Sequence, residues 1–257
     1  MNTLATSYSA FDYLCNESYL IQDIGYVKCP TLRDIRKITY NMFLYYLSII
    51  SCNVEEFLKE NPTSEDSKNN LNTNDNNSFF LLLLKENPVL LLGLISLFVD
   101  DEVVFDKDAL KFCIFKVDGE TKTQTGYIGS DNFDFFREQL QYILGIKFFE
   151  EKEQKFKNKL AQKMYEKLQK HTKEQKKKSD DNYSLDNMVR KYCTHNKVGI
   201  NILNVWDLTY YQFVQMFNEY CNGRQSDFND MMAANTFSYK KSTDYKPLEY
   251  MTKLKTN

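Results

Sequence analysis

Between Cys29 and Ile50 the chain reads CPTLRDIRKITYNMFLYYLSII, and this stretch limits the fold more than any other. Pro30 bars helix before it, and Thr31 can cap the free N–H groups of a first turn. Asp34, three residues on, is a short stand-in for the Glu of a capping box. Leu32, Ile35, Ile38, Met42, Tyr45, Tyr46 and Ile49 then recur at three- and four-residue spacing. That pattern predicts one helix of about five turns with a broad apolar face. Two readings of the face stand side by side. It is the core helix of a small domain, or part of its aromatic stripe receives another chain. Tyrosine tolerates both water and burial, which keeps the second reading open.

A chain of 257 residues is long enough for a real core and suggests one or two domains. Against 18 Tyr and 19 Phe it has 8 Gly and 4 Pro, so few tight turns are expected. A net charge of −2 exerts no global pull toward nucleic acid or an anionic membrane. The six cysteines, at 15, 29, 52, 113, 193 and 221, show no CxxC and no paired spacing. Free thiols in a reducing cytoplasm are expected, and Asp12 and Glu17 break any apolar run that could be a secretory leader.

Residues 1–18 read as a partly ordered arm, and Tyr19 to Lys28 as a short strand or extended lead-in. Asn53 can cap a short helix over Val54 to Lys59. Residues 61–78 hold almost no apolar side chain and predict a flexible surface loop. The most apolar window, Phe79 to Val99, carries Lys85, Glu86, Asn87 and Pro88 at its centre. A bilayer-spanning helix would strand those charges and a broken backbone in hydrocarbon, so two short buried helices, Ser78–Lys85 and Pro88–Val99, are expected instead.

Strand signals follow at Glu102–Phe105, Lys111–Val117 and Thr121–Ile128, with Asp118-Gly119 as a hairpin turn. A helix capped at Ser130 is expected next, with Asp131 and Asp134 in its first turn and Phe133, Phe136, Leu140, Ile143 and Leu144 inward. From Lys147 to Lys178 twelve lysines face five glutamates, with no arginine. The run reads as a solvated helix and linker, or as an electrostatic seat for phosphates. In the C-terminal part Asp207 is the expected cap of a helix, with Trp206 stapled onto Tyr211. Leu208, Tyr211, Val214 or Gln215, Phe217, Tyr220 and Cys221 are expected to point inward, and Gly223 is the expected stop. Phe228, Met231 and Met232 then mark a second short helix, and Pro247 to Leu254 a last helical turn or two. The fold class is mainly α with a small antiparallel sheet, α+β. It is divided into an N-terminal unit (1–146), a basic helix and linker (147–183) and a helical C-terminal unit (184–257).

Little catalytic chemistry is visible. Cys193 and His195 form the only Cys/His proximity in the sequence, and two ligands cannot hold zinc. No phosphate-binding glycine loop, HExxH or GxSxG is present. No catalytic residue, metal or cofactor is expected.

Three stretches together resemble a known family. KCPTLRDIRKITYNMFLYYLSII (28–50) resembles the opening of tail assembly chaperones from phages and prophages of low-GC Gram-positive bacteria. GYIGSDNFDFFREQLQYILG (126–145) resembles a central segment of the same proteins, and residues 204–238, beginning NVWDLTYYQF, are similar to their C-terminal helical region. The chain departs from the family in the Asn-rich insert, in the lysine-rich run and at Cys29, where the family tends to have a proline. The resemblance implies a non-enzymatic protein of phage tail morphogenesis in the bacterial host cytoplasm. Its partners would be the tape-measure protein or other tail proteins, whose apolar helical faces it would keep from aggregating. On that basis Tyr45, Tyr46, Phe136, Tyr211, Phe217 and Met231 are the candidate partner-binding residues. Self-association stays open, and no membrane role is expected. The rival readings are a structural virion component, such as a baseplate or connector protein, and a nucleic-acid-associated factor using the lysine run.

Overall fold

The computed structural model describes residues 8–52, 57, 77–146 and 184–234. Among these, seven α-helices and two small antiparallel sheets form the α+β fold that the sequence predicts. Chain contacts define two compact units. The first is Met1–Phe148 with Asp207–Gln212, and the second is Phe149–Trp206 with Phe213–Asn257.

The first unit opens on a hairpin of β1 (Tyr19–Ile21) and β2 (Gly25–Val27), in register Tyr19↔Val27. Tyr19, Ile21 and Val27 point inward and Leu20 and Tyr26 outward, as the two-residue period of a half-buried pair requires. Thr31 and Asp34 form the expected reciprocal capping box at the start of α1 (Leu32–Ile38). The predicted single helix nevertheless ends there. Thr39 takes φ 75° and ψ 148°, and α2 (Tyr40–Ser51) starts afresh with the Thr39 hydroxyl accepting from the Met42 N–H. This is strained backbone for a β-branched residue, and nothing in the sequence announces it.

Two helices follow as predicted, α3 (Asn77–Glu86) and α4 (Pro88–Phe98). Asn87 caps the second by accepting from the Leu90 N–H, and Pro88 sits where its missing N–H costs nothing. The pair bends by 114°, and no single helix among the described residues is long and apolar enough to cross a membrane.

Strands β3 (Glu102–Asp106), β4 (Lys111–Asp118) and β5 (Thr121–Ile128) form the second sheet in that order. Asp118 pairs with Thr121, so the central turn residues are Gly119, at φ 61°, and Glu120 rather than Asp118 and Gly119. The first hairpin closes on this sheet at one point: the Tyr127 N–H donates to the Asp23 carbonyl at 3.0 Å. A Cβ on neighbouring Gly126 would lie 2.3 Å from the Ile24 carbonyl oxygen, so only glycine lets the two backbones meet.

Helix α5 (Phe133–Ile143) buries Phe133, Phe136, Leu140 and Ile143, and Leu144 follows, as the stripe predicts. Ser130 is not its cap. Asn132 takes that place, and its amide side chain ties Gly129 and Tyr127 instead. Arg137, on this helix, reaches under the C-terminus of α2. Its guanidinium donates to the carbonyls of Ile49, Ile50 and Cys52, three of the oxygens that a helix end leaves unpaired. Gln141 donates to Ile50 at 2.8 Å. Burial pulls the Arg137 guanidinium below its ordinary range, and Asp134 at 3.0 Å opposes that shift. Its carbon also lies 4.8 Å from the centre of the Phe79 ring. Phe79 is itself in edge contact with Phe57, and Phe80 packs on Phe133 and Phe112.

The second unit contains α6 (Leu185–His195) and most of α7 (Tyr210–Ala234). Helix α7 runs straight through Gly223, so the predicted stop and second short helix are replaced by one helix. An isolated glycine only lowers helix propensity, and three further turns outweigh it. The expected helix over Val54–Lys59 (apart from Phe57), the loop up to residue 76, the lysine run and the terminal helical turn lie outside the described residues.

Two substitutions test this packing. Arg137→Leu strands the α2 carbonyls and is expected to cost about 3 kcal/mol in denaturant unfolding. Gly126→Ala must separate the hairpin from β5 and is expected to cost roughly 2 kcal/mol with no change in helix content by circular dichroism.

Candidate functional site

The segment Asp207–Gln212 belongs to the first unit, and it is there that Tyr211 lies. The Leu32 N–H donates to the Leu208 carbonyl at 3.0 Å, and Tyr210 N–H to the Pro30 carbonyl at 2.8 Å. Thr31 and Thr209 bridge in antiparallel sense, and Arg33 pairs with Asp207 at 2.6 Å. The helix cap here is Thr209, not the expected Asp207. The Thr209 hydroxyl accepts from the Gln212 N–H, and the Gln212 side-chain oxygen accepts from the Thr209 N–H, a full capping box. Asp207 is drawn off by Arg33. The Trp206 ring N–H donates to the Ile202 carbonyl at 2.7 Å.

Tyr211 is buried within a group of rings. It meets Tyr13 edge-on, Tyr13 meets Tyr19, and Tyr8 meets both. Its N–H donates to the Cys29 sulfur at 3.5 Å, and its hydroxyl donates to the Ala10 carbonyl. Burial pushes the Cys29 thiol and the Tyr13 phenol each up to about 12. Burial and the neighbouring Cys29 also raise Tyr211.

The other candidates divide in the same way. Tyr46 is buried on α2 with its hydroxyl beside Gly93, and Phe136 is wholly buried on α5. Tyr45 is half-buried against the Phe57 ring. In the second unit Phe217 is buried, stacked on Phe213 and tilted against Tyr220, while Tyr192 of α6 closes on Phe213 and Tyr220. Met231 stands 68% exposed on α7. Four of the six candidate side chains are therefore core, and Met231 alone is fully presented.

Two features of the second unit escape periodicity altogether. The loop after α6 is tied by asparagine side chains. Asn196 accepts from the Val198 N–H and donates to the Tyr192 and Ile200 carbonyls. Asn201 accepts from Leu203 N–H, and Asn204 accepts from Asn201 N–H and donates to the Gly199 carbonyl. These bonds fix a turn that holds Ile202 and Leu203, the latter 82% exposed, out in solvent. Beside it a cleft of about 380 Å³ is lined by His195, Lys197 and Val198 on one side and by Glu219, Tyr220, Gly223, Arg224 and Asp227 of α7 on the other. The sequence signal was an apolar pair flanked by Asn201 and Asn204 with no period of its own.

Chemistry finds little to work with. Among the described residues no group of His, Cys, Asp and Glu could hold a metal ion. Cys193 is partly buried and its thiol is raised by that burial, opposite to what a nucleophile needs. The His195 ring nitrogen lies 3.1 Å from the Lys191 carbonyl.

Residues 174–255 match a family model described as the YomV second domain. YomV is a prophage-associated protein. No curated protein and no solved structure matches the chain.

The tyrosine group gives a pH test. Tyr13, buried, and Tyr210, half-buried, are each raised to about 12 by desolvation and favour the folded state fully below the ordinary tyrosine value near 10. That contribution is lost as pH rises through 12, so thermal midpoints should fall between pH 10 and 12. Tyr13→Phe should flatten the fall.

Proposed function

We propose that the protein is a non-enzymatic factor of phage tail morphogenesis, a tail assembly chaperone that holds the tape-measure protein in the host cytoplasm until the tube forms around it. Three stretches of sequence, 28–50, 126–145 and 204–238, support this by resemblance, and the match of 174–255 to a domain of a prophage-associated protein points the same way. The observation that carries the reading is the asparagine-tied turn that exposes Ile202 and Leu203. A soluble monomer gains nothing from fixing apolar side chains in water, whereas a pre-ordered knob lowers the entropy cost of meeting a helical client. Two aliphatic side chains make a weak contact, which suits a client that must later be released.

The test is co-expression with the tape-measure protein of the same prophage. The client should be soluble only with this chain present. The double substitution Ile202→Asp with Leu203→Asp should abolish that rescue while changing the chain's own stability by less than about 0.5 kcal/mol, since both side chains are exposed. A client soluble without this chain, or rescued equally by the double variant, contradicts the proposal. Retention of the chain in purified particles would place it among virion components instead.

A further inference from the structure

The C-terminal half of α7 is a second exposed surface, separate from the Ile202–Leu203 turn. From Cys221 to Met232 every residue of this helix is exposed or half-exposed. Phe228 is 52% and Met231 68% exposed. Tyr220, Gly223, Arg224, Asp227, Phe228 and Met231 recur at three- and four-residue spacing and so share one face. Four of them also line the cleft, which continues that face toward α6. A helix half of this kind, with an aromatic and a methionine presented together, has little of the burial that normally stabilises a helix in water.

We infer that this face is a two-fold contact that takes the same helix of a second copy of the chain, running antiparallel. The face is complementary to itself, as an isologous contact must be. A two-fold axis crossing α7 between Gln225 and Ser226 sets Arg224 opposite Asp227 of the other copy, twice. The same axis sets Phe228 over Gly223, where a Cβ would meet nothing within 4 Å and a ring has room. Met231 then falls against Tyr220, a methionine on an aromatic face. Among the described residues neither Arg224 nor Asp227 has an ion pair within its own chain, so both charges are available across the axis. An unrelated helical partner has no reason to match this alternation of sign, whereas a second copy matches it by symmetry.

The mass of the full chain in solution, by sedimentation at micromolar concentrations, tests the inference. The chain should sediment with the mass of two copies. Arg224→Asp alone places four acidic groups across the axis, and Asp227→Arg alone four basic ones. Each should weaken the pair at least about tenfold and leave single chains. An equimolar mixture of the two variants should restore the two-chain species, because every facing charge is again opposite. Met231→Glu should also leave single chains. These side chains are exposed, so circular dichroism and thermal midpoints of the single chains report that folding is intact. A single-chain wild type overturns the inference, whether or not the face binds some other helix. So does a two-chain mass unchanged in all the variants, or a mixture that stays single.

Discussion

The return of Asp207–Gln212 to Cys29–Arg33 is the constraint on which the first unit depends. It joins segments far apart in sequence, and it does so mostly through backbone groups that neither segment could satisfy alone. The first N–H groups of a helix have no partner within it. In α7, Tyr210 N–H finds the Pro30 carbonyl, Tyr211 N–H the Cys29 sulfur and Gln212 N–H the Thr209 hydroxyl. In exchange the Leu32 N–H at the start of α1 finds the Leu208 carbonyl. Two helix starts thus complete each other. Once that contact is made, Tyr211 must enter the ring group of Tyr13 and Tyr19, and Tyr210 meets Phe43 of α2 at 5.1 Å.

A similar logic governs the other end of α2. Its terminal carbonyls are answered by Arg137 and Gln141 from α5, so this helix is held at its start by Thr39 and at its finish by a buried cation. The charge is tolerable in that position because Asp134 and the carbonyl oxygens surround it, and because Phe79 offers its ring face. Aromatic contacts then continue from Phe79 to Phe57 and Phe133.

Much of this was legible in the sequence, and what was missed has physical causes. Strand composition located the three strands although the turn falls one residue later than Asp118-Gly119 suggests, and the apolar stripe of α5 named its buried residues correctly. The break at Thr39 left no mark, because a β-branched residue at positive φ is the opposite of what any signal would suggest. Asp207 looked like a cap because isolated aspartates cap helices well, but Arg33, remote in sequence, takes its carboxylate. The candidate surfaces show the deepest limit. Periodicity says which face of a helix is apolar and is silent on what covers it. Tyr46, Phe136, Tyr211 and Phe217 satisfy the same spacing as a docking stripe, and the chain covers them itself. The exposed turn at Ile202 and Leu203 has no period at all and was invisible to that method.

In functional terms the consequence is a division of labour. The aromatic abundance builds two small bodies, and among the apolar groups left in water Ile202 and Leu203 are held in place by asparagines and Phe228 and Met231 by helix continuity. The Asp207–Gln212 segment is integral to the first body. Hydrogen exchange of single amides tests that most directly. The Leu32 and Tyr210 N–H groups should be protected as strongly as Phe43 in α2 and should exchange only through global unfolding. If they exchange as fast as the exposed turn at Gly119 and Glu120, the segment is a detachable strap and the first body does not depend on it.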